Sequence, residues 1–267
     1  MKDDSNPRAG WLHADYMKYA PAAKADEYGA VFFYVRELLL AFCGRLRKAD
    51  ISFQLFSVDA QQLGHYVDSM KFDRIEVSKV AQLRTFPVKL IVYQISNICD
   101  RGFLGPHTCM QVFSPLLKEK ADNPSATLLM LFLNAAAETA EENDETVEWR
   151  TDYRRSMERL TKYMPLDPTL LGQIRSGEDL GRHPAFVVRT GCHSMLRNWV
   201  SWFDRFLEEE KVSEFAQLCK LKIKTAHTIV QPWPYTWHAG TTKEEFDILR
   251  ASDTTGYERY LEFERAE

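Results

Sequence analysis

The chain has 267 residues, 45% of them hydrophobic and 27% charged, with a formal net charge of -4 and a pI near 6.0. This is ordinary globular composition, long enough for one large domain or two small ones with a real core. The mild acidity excludes a global drive toward nucleic acid or membrane and leaves only local basic patches open to such partners.

Residues 28–48, "YGAVFFYVRELLLAFCGRLRK", are apolar nearly all round and contain no proline, which predicts a central, buried helix. Arg36 and Glu37 interrupt the run well short of a bilayer span, so no membrane segment is expected there. "ISFQLFSVD" then reads as a strand stopped by Asp59, "AQQLGHYVDSM" as a short helix, and "FDRIEVS" as a second strand. That order predicts an α/β unit with parallel strands. "GPHTCMQVFSPLLKEK" has helical spacing, and "NPSATLLMLFLNAAAETA" reads as a buried strand running into a helix. The acidic stretch 141–148 reads as a solvated loop or linker.

Beyond it the pattern is mainly helical, in "EWRTDYRRSMERLTKYM" and in "CHSMLRNWVSWFDRFLEEEKVSEFAQLCKL". Trp199, Trp202, Phe203 and Phe206 fall at spacings of three and four, as a core-facing helix requires. Thr242 and Glu245 fit a capping box. "QPWPYTWHAG" is a proline-stiffened loop that displays aromatic rings, either to line a pocket or to pack. The expected organisation is an α/β lobe over residues 10–140 and a mainly helical lobe over 146–267.

Five scattered cysteines and an acidic start, "MKDDSNPRAGW", predict reduced thiols in a cytoplasmic protein. No GxGxxG, P-loop or GxSxG motif occurs. Cys99, His107 and Cys109 lack a fourth ligand in a tight pattern, so no metal site is expected. The polar residues that stand out are Asp59, closing one expected strand, and Asp73, Arg74 and Glu76 on the next. Ligands of open α/β sheets bind beyond the carboxyl ends of strands, which is where Asp59 would lie. Asp73 and Glu76 point to opposite faces of an ideal strand, so a shared site would need a bend. Both carboxylates could instead be solvated, or paired with Arg74 and Arg101.

The segments "EYGAVFFYVRELLLAFCGRL", "FQLFSVDAQQL", "FDRIEVS", "NICDRGFLGPHTCMQVFSPLLK" and "NPSATLLMLFLNAA" resemble a fungal family of Rossmann-like proteins, some joined to MYND zinc fingers. The resemblance is close over residues 10–140 and loose beyond. In that family the segment runs without a break as "FDRIEVSNICDRGFLG". Here residues 79–96 interrupt it, either as a translated, frame-preserving fungal intron or as a genuine insertion adding a strand through "VKLIVYQI". The intron reading places 79–96 as a poorly integrated extension. The family also has a further N-terminal segment that supplies the first βαβ elements and any nucleotide-type glycine loop.

Two function classes follow from the resemblance. "FDRIE" partly matches the DDxxE motif of arginine-containing cyclodipeptide synthases, aminoacyltransferases of fungal secondary metabolite biosynthesis that work without a cofactor on aminoacyl-tRNA. That reading implies Glu76 and Asp73 as catalytic residues, with Asp59, Asn97 and Asp100 binding substrate. The "VDA" and "FDRIEVS" segments are similar to the acidic-loop and fourth-strand regions of class I methyltransferases, which use S-adenosylmethionine. A third reading is a non-catalytic, accessory member. A tRNA partner needs basic surface, for which "RTDYRRSMERLTK" and "KLKIK" are the candidates.

Overall fold

The structure, a computed structural model, describes residues 8, 11–19, 26–67, 70–77, 98–166, 168–169, 172, 184–233, 237–251 and 256–266. The interrupting segment 79–96 and Asn97 lie outside these residues. The chain forms two compact units, each drawn from three stretches. One comprises Phe56–Ser156, Arg197–Thr236 and Gly256–Glu267; the other comprises Met1–Leu55, Met157–Leu196 and Trp237–Thr255.

The first unit is built on a sheet whose described strands lie in the order β1 (Arg74–Val77), β2 (Thr127–Phe132), β4 (Arg259–Arg265), β3 (Leu221–Ile223). β1 and β2 are parallel, with Arg74 opposite Thr127 and Val77 opposite Met130. The chain passes between them through α4 (Gly105–Phe113). β4 runs antiparallel between β2 and β3. The architecture is therefore mixed α/β with one parallel pair, whereas the sequence pattern suggested a parallel sheet. "FDRIEVS" forms β1, and "NPSATLLMLFLNAAAETA" forms β2 followed by α5 (Ala135–Glu142), as expected.

β2 is a run of apolar residues because it is central and covered on both faces. Leu128, Met130 and Phe132 share one core with Leu261, Phe263 and Leu221 of its neighbours. Into that core α8 (Trp199–Glu209) turns Trp199, Trp202, Phe203 and Phe206, all buried as their spacing requires. Phe132 meets Phe203 and Phe206 edge-on at 5.4 and 5.5 Å, a favoured geometry for aromatic pairs. α9 (Val212–Leu218) packs beside β3.

The C-terminal strand β4 was not anticipated. "YERYLEFER" falls in the stretch expected to be mainly helical and is rich in charge, yet it forms a strand and its Glu262 and Arg265 are both buried. Arg265 donates to the carbonyls of Ser114 and Leu117 at 2.8 and 2.9 Å and pairs with Glu119 at 3.1 Å. The charges are inside because each meets a partner.

"ISFQLFSVD" is not a strand: residues 51–57 carry no regular secondary structure. β-propensity needs a neighbouring strand to become structure, and none of the described strands pairs with this stretch. Asp59 caps a short 3-10 turn, Ala60–Gln62, by accepting the Gln61 N–H at 2.9 Å, and α3 (Leu63–Val67) follows.

The second unit contains α1 (His13–Tyr16), α2 (Glu27–Leu46), the last turns of α6 (Val147–Tyr163), α7 (Pro184–His193) and α10 (Lys243–Ala251). α2 forms where expected, capped by Asp26, which accepts the N–H groups of Tyr28 and Gly29. It is not the buried helix that its sequence suggests. Only Ala30 and Val31 are buried, and Phe32, Leu39 and Leu40 are more than half exposed. An apolar groove of about 730 Å³ runs along it, lined among others by Trp11, Phe32, Val35 and Leu39. Another cluster gathers Leu160, Tyr163, Cys192, Leu196 and Phe246, with Tyr163 stacked on Phe246 at 4.6 Å. The capping box forms reciprocally: Thr242 N–H donates to Glu245 at 2.8 Å and Glu245 N–H to the Thr242 hydroxyl at 3.2 Å. No helix among the described residues is long and apolar enough to cross a membrane.

One buried carboxylate ties α6 to α8. Asp152 accepts from Arg197 Nε at 3.0 Å, Asn198 N–H at 3.0 Å and Trp202 Nε1 at 3.1 Å. Asp152→Ala strands all three donors, Arg197 with its charge, and is expected to cost about 3–5 kcal/mol in urea denaturation. Asp152→Asn, which keeps an acceptor, is expected to cost less.

Candidate functional site

The carboxyl edge of the β1–β2 pair is the position at which α/β sheets receive ligands. Here the family-like segment "NICDRGF" arrives. Cys99 reaches back to the Val77 carbonyl at 3.6 Å, and Gly105, in the left-handed region at φ 76°, turns the chain into α4. Between them, fully buried Asp100 accepts the N–H groups of Asn134 and Ala135 at 3.0 and 3.2 Å. Its carboxylate occupies the N-terminus of α5, where the free N–H groups and the helix dipole favour an anion. Burial nevertheless pushes its pKa up to about 7, with repulsion from Glu138 adding to the rise and the backbone donors opposing it. Glu138 is likewise raised by burial, and its Oε2 is buried without a partner.

Arg101 is the counterweight at this edge. Its Nε donates to Glu210 at 2.6 Å, Nη2 to Glu209 at 2.7 Å and Nη1 to Glu142, and its guanidinium lies over the Phe206 ring. It thereby joins the 98–104 loop to α5 and α8, and does not reach Asp73 or Glu76.

On β1, Glu76 is about half exposed at 49% and lies 3.4 Å from Arg74. Solvent therefore reaches it, despite its apolar neighbours Ile75 and Val77. Asp73, just before the strand, accepts from Lys118 and Asn123, each at 2.8 Å, and the Lys118 contact above all holds its carboxyl below the usual range. Asn123 in turn accepts the Ser125 N–H, so Asp73 shapes the 118–125 turn. Asp59, as a turn cap, is not at the end of a strand. Of the five residues singled out from the sequence, the structure gives Asp59, Asp73 and Asp100 local hydrogen-bonding roles and leaves Glu76 open to solvent. The fifth, Asn97, is outside the described residues. His107 stacks on Phe215 at 4.2 Å and meets the Glu210 carbonyl, while Cys109 bonds the Ile98 carbonyl.

A second polar centre lies on the other face of β4. Glu262 is fully buried and accepts the N–H groups of Thr228, Ile229 and Val230 at 2.9, 2.7 and 3.1 Å. The Thr228 hydroxyl and Lys224 Nζ also donate to it, at 2.9 and 3.2 Å. Burial alone would raise this carboxyl, but the three backbone donors prevail and its pKa falls to about 2. Lys224 also donates to the hydroxyls of Thr127 and Thr228, at 2.6 and 2.7 Å. A cleft of about 440 Å³ opens beside this group, lined by Ser125, Thr127, Lys224, Thr225, Thr228 and Glu264 among others. The ammonium has three partners, so its role is to hold the 224–230 loop on the sheet. Sequence reading missed this centre because Lys224 and Glu262 are 38 residues apart and become neighbours only through the β3–β4 pairing.

No family model, curated protein or solved structure matches the chain.

The two buried carboxyls make opposite contributions to stability. Asp100 titrates higher folded than unfolded, so its share of stability is present below about pH 4 and is lost as pH rises through about 7. Glu262 titrates lower folded than unfolded, so its share is present above about pH 4.5 and is lost as pH falls toward 2. Urea denaturation from pH 4 to 8 is expected to show a fall of up to about 4 kcal/mol from Asp100, at about 1.36 kcal/mol per pKa unit. Asp100→Asn should be less stable than the parent at pH 4, with one oxygen for two N–H groups, but should lack that fall and so gain on the parent as pH rises through about 7. Glu262→Gln should instead lose stability throughout the neutral range and flatten the acid limb.

Proposed function

We propose that the protein is a Rossmann-like transferase of the cyclodipeptide synthase kind, joining amino acids delivered on tRNA. One observation carries the reading: the anion position at the N-terminus of α5, at the carboxyl edge of the sheet, is filled by the chain's own Asp100. A helix N-terminus following a strand is where a cofactor phosphate or carboxylate would be held. Filled from within, that position favours a reaction needing no such group. Cyclic dipeptide formation is one, and it takes two such steps: an amine attacks an aminoacyl ester, the C–N bond forms and the C–O bond breaks, a base takes the amine proton and the departing tRNA oxygen takes one up, and the second step, within the dipeptidyl ester, closes the ring.

In this reading Glu76 is the base, and the bound substrate supplies the desolvation that the free protein does not give it. Ionised Asp73 holds the cationic side chain of the substrate, in competition with Lys118. The exposed arginines Arg150, Arg154 and Arg155 of α6 offer basic surface for tRNA phosphates. The methyltransferase-like alternative draws support from β1, since the segment resembling a fourth strand does lie in a parallel pair.

Expression of the chain with and without residues 79–96, followed by mass spectrometry for cyclic dipeptides, tests the proposal. Glu76→Gln is expected to lower product by about a hundredfold or more, the scale of general-base loss. Asp73→Asn is expected mainly to relax selection for arginine. Absence of product from both forms, or full product from Glu76→Gln, would reject the assignment. Calorimetry with S-adenosylmethionine is expected to show no tight binding, and micromolar affinity would promote the methyltransferase reading.

A further inference from the structure

Arg259 opens β4 opposite Phe132, the last residue of β2, and so lies at the same carboxyl edge as Asp100 and the start of α5. The next residues on its face of the strand, Leu261 and Phe263, are buried in the apolar core. Its guanidinium lies 4.9 Å from the ring centroid of Trp233 and 5.6 Å from that of Phe203, and those two rings meet edge to face at 6.0 Å. Nε and Nη1 are both buried with no hydrogen-bond acceptor. Asp204, on the exposed side of α8, attracts it only through space, and burial pulls its pKa down to about 10.

Three other arginines of this unit each have an ion-pair partner, although Arg197 Nη2 and Arg265 Nε are also buried without an acceptor. Arg197 has Asp152, Arg265 has two carbonyls and Glu119, and Arg101 has three glutamates. Arg259 is part-buried, and a cation with two enclosed N–H groups and no acceptor is costly and calls for a partner. The two rings meet edge to face beside the group, and Nε and Nη1 are enclosed, which leaves Nη2 to meet an oxyanion. At the same edge of the sheet the α5 N-terminus is taken by Asp100 and Arg101 is balanced, whereas Arg259 has no ion-pair partner among the described residues.

We propose that Arg259 anchors an anion-binding site at the carboxyl edge of the sheet, taking the carboxylate or phosphate group of a small ligand. Trp233 and Phe203 flank the guanidinium and hold it in place. The site also gives a role to the first part of the "QPWPYTWHAG" loop, which supplies Trp233. It stands independently of the transferase reading, because it requires no reaction.

The test titrates the purified chain with inorganic phosphate and, separately, with acetate, at ionic strength matched by chloride. Tryptophan emission and thermal unfolding are followed. A saturable change in emission and a rise in Tm beyond the chloride control are expected with one of the two anions. A response to phosphate alone assigns a phosphoryl group, and a response to acetate alone assigns a carboxylate. Arg259→Met, similar in length and without charge, should bind roughly tenfold more weakly or worse, the scale of losing a charge-assisted hydrogen bond. Arg259→Lys, which keeps the charge but not the planar edge, should fall between them and serves if the Met variant does not fold. No response of the unaltered chain to either anion would overturn the proposal. So would a response that survives undiminished in the variants.

Discussion

The sheet unit depends on the insertion of the last strand between two earlier ones. β4 pairs antiparallel with β2 along one side and with β3 along the other, so residues at the end of the chain complete a core begun by residues 127–132. Leu261 and Phe263 supply its apolar face, and Phe203 and Phe206 of α8 cover the same layer. Arg265 then ties the far end of β4 to the turn after α4 through the Ser114 and Leu117 carbonyls. Without β4, β2 would be an edge strand with a row of unpaired backbone groups facing an apolar core.

Charge inside this unit is used to fasten loops. Asp100 closes the start of α5, Asp152 joins α6 to α8, and Glu262 gathers the 228–230 backbone onto the sheet. Each carboxylate meets several donors, and for Asp100 and Glu262 the balance of donors against burial decides the direction of titration. Glu262 has three backbone N–H groups, a hydroxyl and an ammonium and stays ionised far into acid. Asp100 has two N–H groups at the distances of ordinary hydrogen bonds and a carboxylate neighbour in Glu138, and takes up a proton near neutrality. Arg259 departs from this scheme, since its Nε and Nη1 are enclosed beside two rings that supply no acceptor.

The helix α2 shows the limit of hydrophobic patterning. Its sequence is apolar on nearly every side, which ordinarily means burial, yet most of that surface is open. A sequence fixes how much apolar surface a helix carries; whether another element lies against it is a matter of the assembled chain.

What the sequence determined by itself was local. The helices Val147–Tyr163, Trp199–Glu209 and Val212–Leu218, the burial of Trp199, Trp202, Phe203 and Phe206, the strand–helix passage from β2 to α5 and the capping box at Thr242 follow from periodicity and capping chemistry. Those signals act over three or four residues, so they are legible in a short window. The strand at 51–57 failed for the complementary reason, that a strand exists only where a partner does. Asp73 and Asp100 were legible as polar residues in apolar surroundings, but their partners, Lys118 and the start of α5, were not. The charged segment that became β4, the Lys224–Glu262 pair and the unpaired Arg259 were decided by tertiary structure alone. Their environments are built from residues tens of positions away, and burial and partner number, which set the energy of a charge, are properties of that assembly.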